Sequence, residues 1–423
     1  MKAVIMVGGK GTRIASVDST VPKPMIRILD KPILQYQIEC LRAQGIKEIV
    51  LVCGHLKDVI INYFGNGQKF GVSIEYIIED TALGTAGALG YLKSMTDDMF
   101  LLLNGDIIFD VDFSRMIEFH KSKNAMVTLF GHPNSHPYDS SLLVIDKESE
   151  VIDWINKEDK RGWERNLVNA GIHLISSKIF TDSNTAFLFD MVSKLDLDRD
   201  VLKRIINKKK LYVYASPEYV VDMGTPDRYT KVFSDIKNGI PHQKNLQNKQ
   251  KAVFLDRDGT INKYVGFLRK VEDFELLPRV AEAIAIIRAK GFLVIIITNQ
   301  PVIARGEVSF SGLNEIHNKM ETLLGQAGTY VDGIYFCPHH PDKGYPGEIV
   351  ELKINCNCRK PKTGLVEQAT KDFNVDVSES YFVGDGEIDI MTGMRAGCHT
   401  ALISTEREGE NIYKSLFDFA QSL

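Results

Sequence analysis

Two carboxylates spaced two residues apart close an apolar run: Val253-Phe254-Leu255-Asp256-Arg257-Asp258-Gly259-Thr260. In an extended strand positions i and i+2 share a face, so Asp256 and Asp258 can both point to one side of a sheet edge. Such a pair suits phosphoryl transfer, with Asp256 attacking phosphorus while Asp258 protonates the leaving oxygen and later activates water. A carboxylate that attacks a phosphate dianion needs a cation between them, and Asp385 in Val383-Gly384-Asp385 can share Mg²⁺ with Asp256, with Asp258 counted in the same metal set. Asp389 would support those ligands from behind. Thr298 and Asn299 follow a second buried run and read as substrate-binding, Thr298 by offering a hydroxyl to the phosphoryl group. Lys360 supplies compensating charge to that group and Arg359 to the rest of the substrate. Alone, the two-carboxylate strand end also fits a cation site or a capped turn; Thr298, Lys360 and Asp385 following in order favour phosphoryl chemistry.

A second group of residues lies near the N-terminus. Gly8-Gly9-Lys10-Gly11-Thr12-Arg13 follows an apolar run, and its glycines would let backbone N–H groups close on phosphate oxygens while Lys10 and Arg13 bring charge. It lacks the spacer of a Walker loop and the last glycine of a dinucleotide fingerprint, and taken alone it could be a plain strand-to-helix turn. Three further pieces add to it: Lys23 held between Pro22 and Pro24, Gly84 in Leu83-Gly84-Thr85-Ala86-Gly87, and Asp106 directly after the apolar run that ends Leu102-Leu103-Asn104. The last position is where open α/β sheets bind ligands.

Six cysteines in 423 residues are too few for a disulfide scaffold, and Cys337, Cys356 and Cys358 crowd a stretch that also holds His339, which suggests metal before disulfide. Cys40, Cys53 and Cys398 sit in apolar surroundings and read as core.

The elements that must carry these residues read as α/β. Apolar runs at 2–7, 48–53, 73–78, 100–103 and 125–130 alternate with helical patterns at 33–44 and 113–121, predicting a mostly parallel, Rossmann-like doubly wound sheet. Strands at 251–255, 293–297 and 381–383, with helices at 279–290 and 313–325, predict a second domain of the same architecture. The polar stretch 236–250 reads as an exposed linker between domains at 1–235 and 251–423. Lys plus Arg (51) against Asp plus Glu (55) gives a net charge of −4, which disfavours nucleic-acid and polybasic membrane partners. No apolar run is long enough to span a bilayer and no signal peptide is recognisable, so the cytoplasm is the expected compartment; a homo-oligomer is allowed.

The first group of motifs resembles the sugar-phosphate nucleotidyltransferase family, and within it the heptose 1-phosphate guanylyltransferases. By that resemblance Gly8, Gly9, Gly11, Thr12, Arg13 and Lys23 hold a nucleoside triphosphate, Arg13 and Lys23 acting in catalysis. Gly84 belongs to the nucleotide site, Asp106 and Asp222 bind Mg²⁺, Asn169 contacts the sugar, and Lys157 contacts the sugar phosphate. The second group resembles the haloacid dehalogenase (HAD) superfamily, with the heptose bisphosphate phosphatases nearest and histidinol-phosphate phosphatases close by. Cys337-Pro338-His339 and Cys356-Asn357-Cys358 match that branch's zinc loop, and three thiolates plus one imidazole complete a closed tetrahedral Zn²⁺ site. The combined resemblance implies small-molecule substrates: a sugar bisphosphate dephosphorylated at position 7, and the resulting heptose 1-phosphate joined to GMP from GTP. The rival expectations are a thymidylyl- or uridylyltransferase for a hexose, and a phosphatase for histidinol phosphate.

Overall fold

The structure is a computed structural model and describes residues 1–8, 21–95, 98–190 and 193–423. It divides into two compact units. One comprises Met1–His132, Leu143–Trp154 and Asn169–Asn245; the other comprises Pro133–Leu142, Ile155–Val168 and Leu246–Leu423.

In the first unit the expected apolar runs are the strands β1 (Lys2–Met6), β2 (Glu48–Cys53), β3 (Ser73–Ile78) and β4 (Met99–Asn104). These four pair in parallel in the order β4-β1-β2-β3. The inner strands β1, β2 and β4 read as near-continuous apolar stretches because both faces are covered, whereas β3 exposes Ser73 and Glu75. On one face lies the helix Ile33–Ala43, which buries Ile33, Leu34, Gln37, Ile38 and Leu41 at helical spacing. A two-stranded antiparallel ribbon stands beside the sheet, made of β5 (Ile107–Asp110) and a later strand described below. Beyond β4 the mostly parallel sheet also takes in antiparallel pairings. After β6 (Val127–His132), β7 (Leu142–Ile145) and β8 (Val151–Ile155), β9 (Val168–Ser176) runs antiparallel to β4, and β10 (Leu211–Ala215) pairs with β6. The sheet is mixed. The ribbon's second strand is β11 (Tyr219–Asp222), with Asp222 opposite Ile107.

The second unit holds a six-stranded sheet of β12 (Ala252–Leu255), β13 (Leu293–Asn299), β14 (Gly333–Cys337), β15 (Tyr381–Gly384), β16 (His399–Ile403) and β17 (Ile412–Tyr413). Its order is β14-β13-β12-β15-β16-β17, and every pairing is parallel. The two-residue period of a strand divides its apolar side chains between two cores. Val253, Leu255, Val294 and Ile296 face one core with the helices Val280–Ala289 and Phe310–Gln326, while Phe254, Ile295, Ile297 and Phe382 face the other with Gly364–Phe373.

The stretch expected as an exposed linker is partly folded instead. Residues Pro226–Lys237 and Ile240–Gln243 are helical, and Asn245, Leu246 and Gln250 are buried. Its polar composition conceals this because the polar groups bond inward: Asn245 Nδ2 donates to Asp110 Oδ1 at 2.6 Å, and the Gln250 backbone exchanges bonds with Asn374 and Asp376.

Phe382 is fully buried and its ring lies 6.2 Å from that of Phe254. Phe382→Ala is expected to destabilise the second unit by about 3–5 kcal/mol, read as a shift in its denaturant midpoint.

Candidate active sites

Because the strands of the second unit are parallel, their C-terminal ends share one edge. β12 hands over to Asp256, whose N–H bonds to Val383 O at 2.9 Å; β13 ends on Thr298 and Asn299, β14 on Cys337, and β15 passes into Asp385. Lys360 Nζ stands 2.6 Å from both Asp256 Oδ1 and Asp389 Oδ1, and all three residues are buried. Burial pushes the Asp256 carboxyl up against the pull of Lys360. For Lys360, burial works to lower the pKa, but the two carboxylates outweigh it and hold the ammonium above its ordinary range. Carboxylate oxygens of Asp256, Asp385 and Asp389 lie within 4.8 Å of one another, a hard-oxygen set that fits Mg²⁺. Gly259, at φ +90°, is what allows this approach: a Cβ there would stand 2.0 Å from Asp385 Oδ2.

Asp258 does not share that cluster with its side chain, contrary to its expected place among the metal ligands. Its carboxylate accepts from Arg257 Nη2 at 2.9 and 2.8 Å, from Asn262 Nδ2 at 3.0 Å and from Gln300 Nε2 at 2.9 Å. Burial acts to raise its pKa, yet Arg257 and these donors prevail and hold it below the usual carboxylate range. The side chain is therefore an ionised acid–base candidate, and an arriving phosphate dianion would favour its protonated form. Asn299 is also differently employed. Its Oδ1 accepts from Lys360 N at 3.0 Å and its Nδ2 donates to Lys360 O at 3.2 Å, so the amide pins the lysine backbone. Thr298 is buried, with its Oγ1 accepting from Gln300 Nε2 at 2.9 Å, and Arg359 Nη1 donates to His339 O at 3.3 Å.

Directly before Arg359 the chain gathers its sulfur. Cys358 Sγ lies 3.2 Å from both Cys337 Sγ and Cys356 Sγ and 3.2 Å from His339 Nδ1, and the four ligand atoms fall within 4.8 Å of one another. None of these cysteines is in a disulfide. Three thiols and an imidazole converging so closely are the donor set of a closed structural metal site. His340 stands outside it, accepting from Asp342 N at 3.2 Å.

The first unit repeats the arrangement at its own parallel edge. Gly8 follows β1, and Gly105 N bonds to Met6 O at 3.0 Å, which sets Asp106 beside the end of β1. Lys23 Nζ meets Asp106 Oδ2 at 2.5 Å. Met223 N bonds to Asp106 O at 2.8 Å, so the ribbon brings Asp222 to the neighbouring position. Asp222 is paired with Arg228, whose Nη1 lies 2.6 Å from Oδ1. Two such carboxylates with substrate phosphates suffice for Mg²⁺. Gly84 pairs with Leu195 across an isolated bridge. Asn169 spends its amide inside the protein, Nδ2 lying 3.1 Å from His173 Nε2 and Oδ1 accepting from Gly171 N at 3.1 Å. Lys157 is exposed beside Glu158 on the segment that groups with the second unit, outside the unit holding Asp106. Gly9, Gly11, Thr12 and Arg13 lie outside the described residues.

Two families meet in this chain. The one described as Nucleotidyl transferase matches residues 2–239, and the one described as Polynucleotide kinase 3 phosphatase matches 251–402. The D-glycero-alpha-D-manno-heptose 1-phosphate guanylyltransferase of Aneurinibacillus thermoaerophilus is 35% identical over 241 residues, 57% of this chain and 100% of that protein. The chain belongs to the nucleotidyl transferase family. Its second half is similar to heptose bisphosphate phosphatases. The D-glycero-beta-D-manno-heptose-1,7-bisphosphate 7-phosphatase of Haemophilus ducreyi is 40% identical over 36% of this chain and 82% of its own length. The D-glycero-alpha-D-manno-heptose-1,7-bisphosphate 7-phosphatase of Photorhabdus laumondii is 43% identical over 36% of this chain and 80% of its own length.

In the nucleotidyl transferase half, sequence reasoning missed Gln37, which is buried and donates from Nε2 to Asn104 O at 2.9 Å and Ile107 O at 2.7 Å, fixing the turn that carries Asp106. A glutamine on the apolar face of a helix was the available signal. Glu79 was missed too: one of its oxygens, Oε1, is buried without a partner, and burial pushes the carboxyl up. In the phosphatase half the missed residues are Arg257, Gln300 and Asn262, which all hold Asp258. The cysteine cluster should bind about one Zn²⁺ or Co²⁺ per chain, and Cys358→Ser should lose it, read by metal analysis and the visible spectrum of the cobalt form.

Proposed function

We propose that the chain is a bifunctional enzyme of nucleotide-sugar synthesis. One half removes the 7-phosphate of D-glycero-D-manno-heptose 1,7-bisphosphate, and the other transfers GMP from GTP to the heptose 1-phosphate to give GDP-heptose. The observation that carries this reading is a phosphoryl-transfer edge in each unit on a chain whose halves match relatives of those two activities. We assign the transferase to residues 1–235 and the phosphatase to 251–423, with 236–250 joining them. Both act on small molecules in the cytoplasm, where GTP and sugar phosphates are available.

At the phosphatase edge an Asp256 oxygen attacks the 7-phosphorus, and the bond from phosphorus to the sugar oxygen breaks as Asp258 gives that oxygen its proton. Water then attacks the aspartyl phosphate, Asp258 takes up a proton, and phosphate leaves. Lys360 stabilises the charge on the phosphoryl oxygens, and Asn299 acts as a positioning residue through the Lys360 backbone. Mg²⁺, held by Asp256 and Asp385 with Asp389 beside them, supplies charge neutralisation when bound. Zn²⁺ at Cys337, His339, Cys356 and Cys358 has a structural part, securing the loop that delivers Arg359 and Lys360. In the transferase the sugar 1-phosphate oxygen attacks the α-phosphorus of GTP and pyrophosphate departs. Lys23 and the glycine-rich loop hold the phosphates, and Asp106 with Asp222 forms the Mg²⁺ site.

Because the two reactions follow one another, the halves must agree on the anomer, and the alpha-heptose is the form taken by the guanylyltransferase relative. Mass spectrometry of products from the alpha and beta bisphosphates, offered with Mg²⁺ and equimolar GTP, ATP, UTP and dTTP, should show phosphate and GDP-alpha-heptose. A dTDP- or UDP-sugar, or phosphate released only from histidinol phosphate, would refute the assignment. Asp256→Asn should abolish phosphate release while nucleotidyl transfer from supplied heptose 1-phosphate persists, and Asp106→Ala should do the reverse, each loss exceeding about a hundredfold in kcat.

A further inference from the structure

The apolar face of the helix Phe310–Gln326 carries a buried histidine. His317 shares that face with Leu313, Ile316, Met320 and Leu324, and its ring lies 5.7 Å from that of Phe336. Its Nε2 stands 3.1 Å from Nη1 of Arg257, the residue between the two carboxylates that end β12. A guanidinium only donates, so Nε2 accepts, and the imidazole is neutral with its proton on Nδ1.

Arg257 is fully buried, and its nitrogens are divided between two partners. Nε donates to Asp258 Oδ1 at 3.2 Å, and Nη2 donates to Oδ1 at 2.9 Å and Oδ2 at 2.8 Å. Nη1 has His317 as its one side-chain acceptor among the described residues. The Arg257 carbonyl accepts from Ile261 N at 2.8 Å and Asn262 N at 3.1 Å, which fixes the main chain and leaves the fork to its side-chain partners. The acids of the edge thus have separate cations: Lys360 lies between Asp256 and Asp389, and Arg257 pairs with Asp258. A carboxylate at position 317 would compete for the guanidinium charge. An alkyl group there would leave a buried donor without an acceptor and loosen the fork on Asp258. A neutral imidazole does neither.

We infer that His317 is a positioning residue of the phosphatase, acting through Arg257 to hold Asp258 in the pose from which it protonates the leaving oxygen. The inference rests on the phosphatase reading above, in which the proton passes from Asp258 to the sugar oxygen as the bond from phosphorus to that oxygen breaks. His317 touches neither substrate nor metal in this role; it supplies the one acceptor that keeps the buried fork in place.

The test compares kcat/KM of the full-length protein for two phosphate esters. One is heptose 1,7-bisphosphate, whose sugar oxygen needs a proton to leave; the other is para-nitrophenyl phosphate, whose phenolate leaves without one. Because kcat/KM covers the steps up to phosphoryl transfer to Asp256, a misplaced acid shows on the sugar ester alone. His317→Leu should lower kcat/KM for the bisphosphate about tenfold to a hundredfold and leave the aryl ester within about twofold. His317→Gln, whose Oε1 can take the place of the imidazole acceptor, should recover most of the loss. Retained aryl turnover doubles as the folding control. Should His317→Leu not fold, His317→Asn, whose amide ends short of the Nε2 position, should give the same selective loss. Equal losses on both esters, an unchanged kcat/KM for the bisphosphate, or a glutamine variant as slow as the leucine one would overturn the positioning role alone. A wild type that hydrolyses neither ester would overturn the phosphatase reading, and this inference with it.

Discussion

A buried lysine between two buried carboxylates sets the terms for the rest of the second unit. Lys360, Asp256 and Asp389 come from a loop, a strand end and a helix's first turn, regions far apart in the chain. Removing Lys360 leaves two buried carboxylates without a cation, where breaking even a single buried pair costs about 3–5 kcal/mol. The surroundings are arranged to prevent that. Asn299 holds the lysine by its backbone, the cysteine cluster secures the chain just before it, and Gly386 N donates to Asp389 Oδ2 at 3.1 Å to orient the far carboxylate. The same triad leaves one negative charge in excess, which suits a site that recruits a divalent cation before a phosphate dianion.

The first unit handles its acids differently. Asp106 and Asp222 are brought together by a ribbon beside the sheet, and each has a cation of its own, Lys23 and Arg228. Both are more exposed than Asp256, so their charges are held by pairing more than by burial. Two edges built by the same parallel-strand logic thus gather their acids by separate routes: one through strand ends and a helix's first turn, the other through a strand end and an added two-stranded ribbon.

How much of this could be read beforehand depended on how local the determining interaction was. Apolar runs marked β2 and β3 at their observed bounds, and the spacing of Ile33, Leu34, Ile38 and Leu41 marked their helix within a residue. Asp256, Lys360 and Asp385 were legible because each directly follows or flanks a motif with its own chemistry. What failed was long-range pairing. The antiparallel entry of β9 leaves no trace in its composition, and the partners of Asn299 and Asp258 lie in loops whose approach no local pattern encodes. Asn299 looked like a ligand for substrate because an amide at a strand end has the same local signature whether it faces solvent or a neighbouring backbone.

The strand order of the second unit also carries a kinetic consequence. β12, which bears the nucleophile, is flanked in the sheet by β13 and β15, and β15 begins about 125 residues after Asp256 in the chain. The central strand emerges from the ribosome first and must wait for its neighbour, at about 5–20 residues per second, with one edge unpaired. During that wait the first unit is already fully synthesised and free to fold. A nascent chain stopped before Tyr381 would therefore hold every residue of the transferase and, downstream, a strand with no partner on one side: a hazard for aggregation that rapid completion of translation limits.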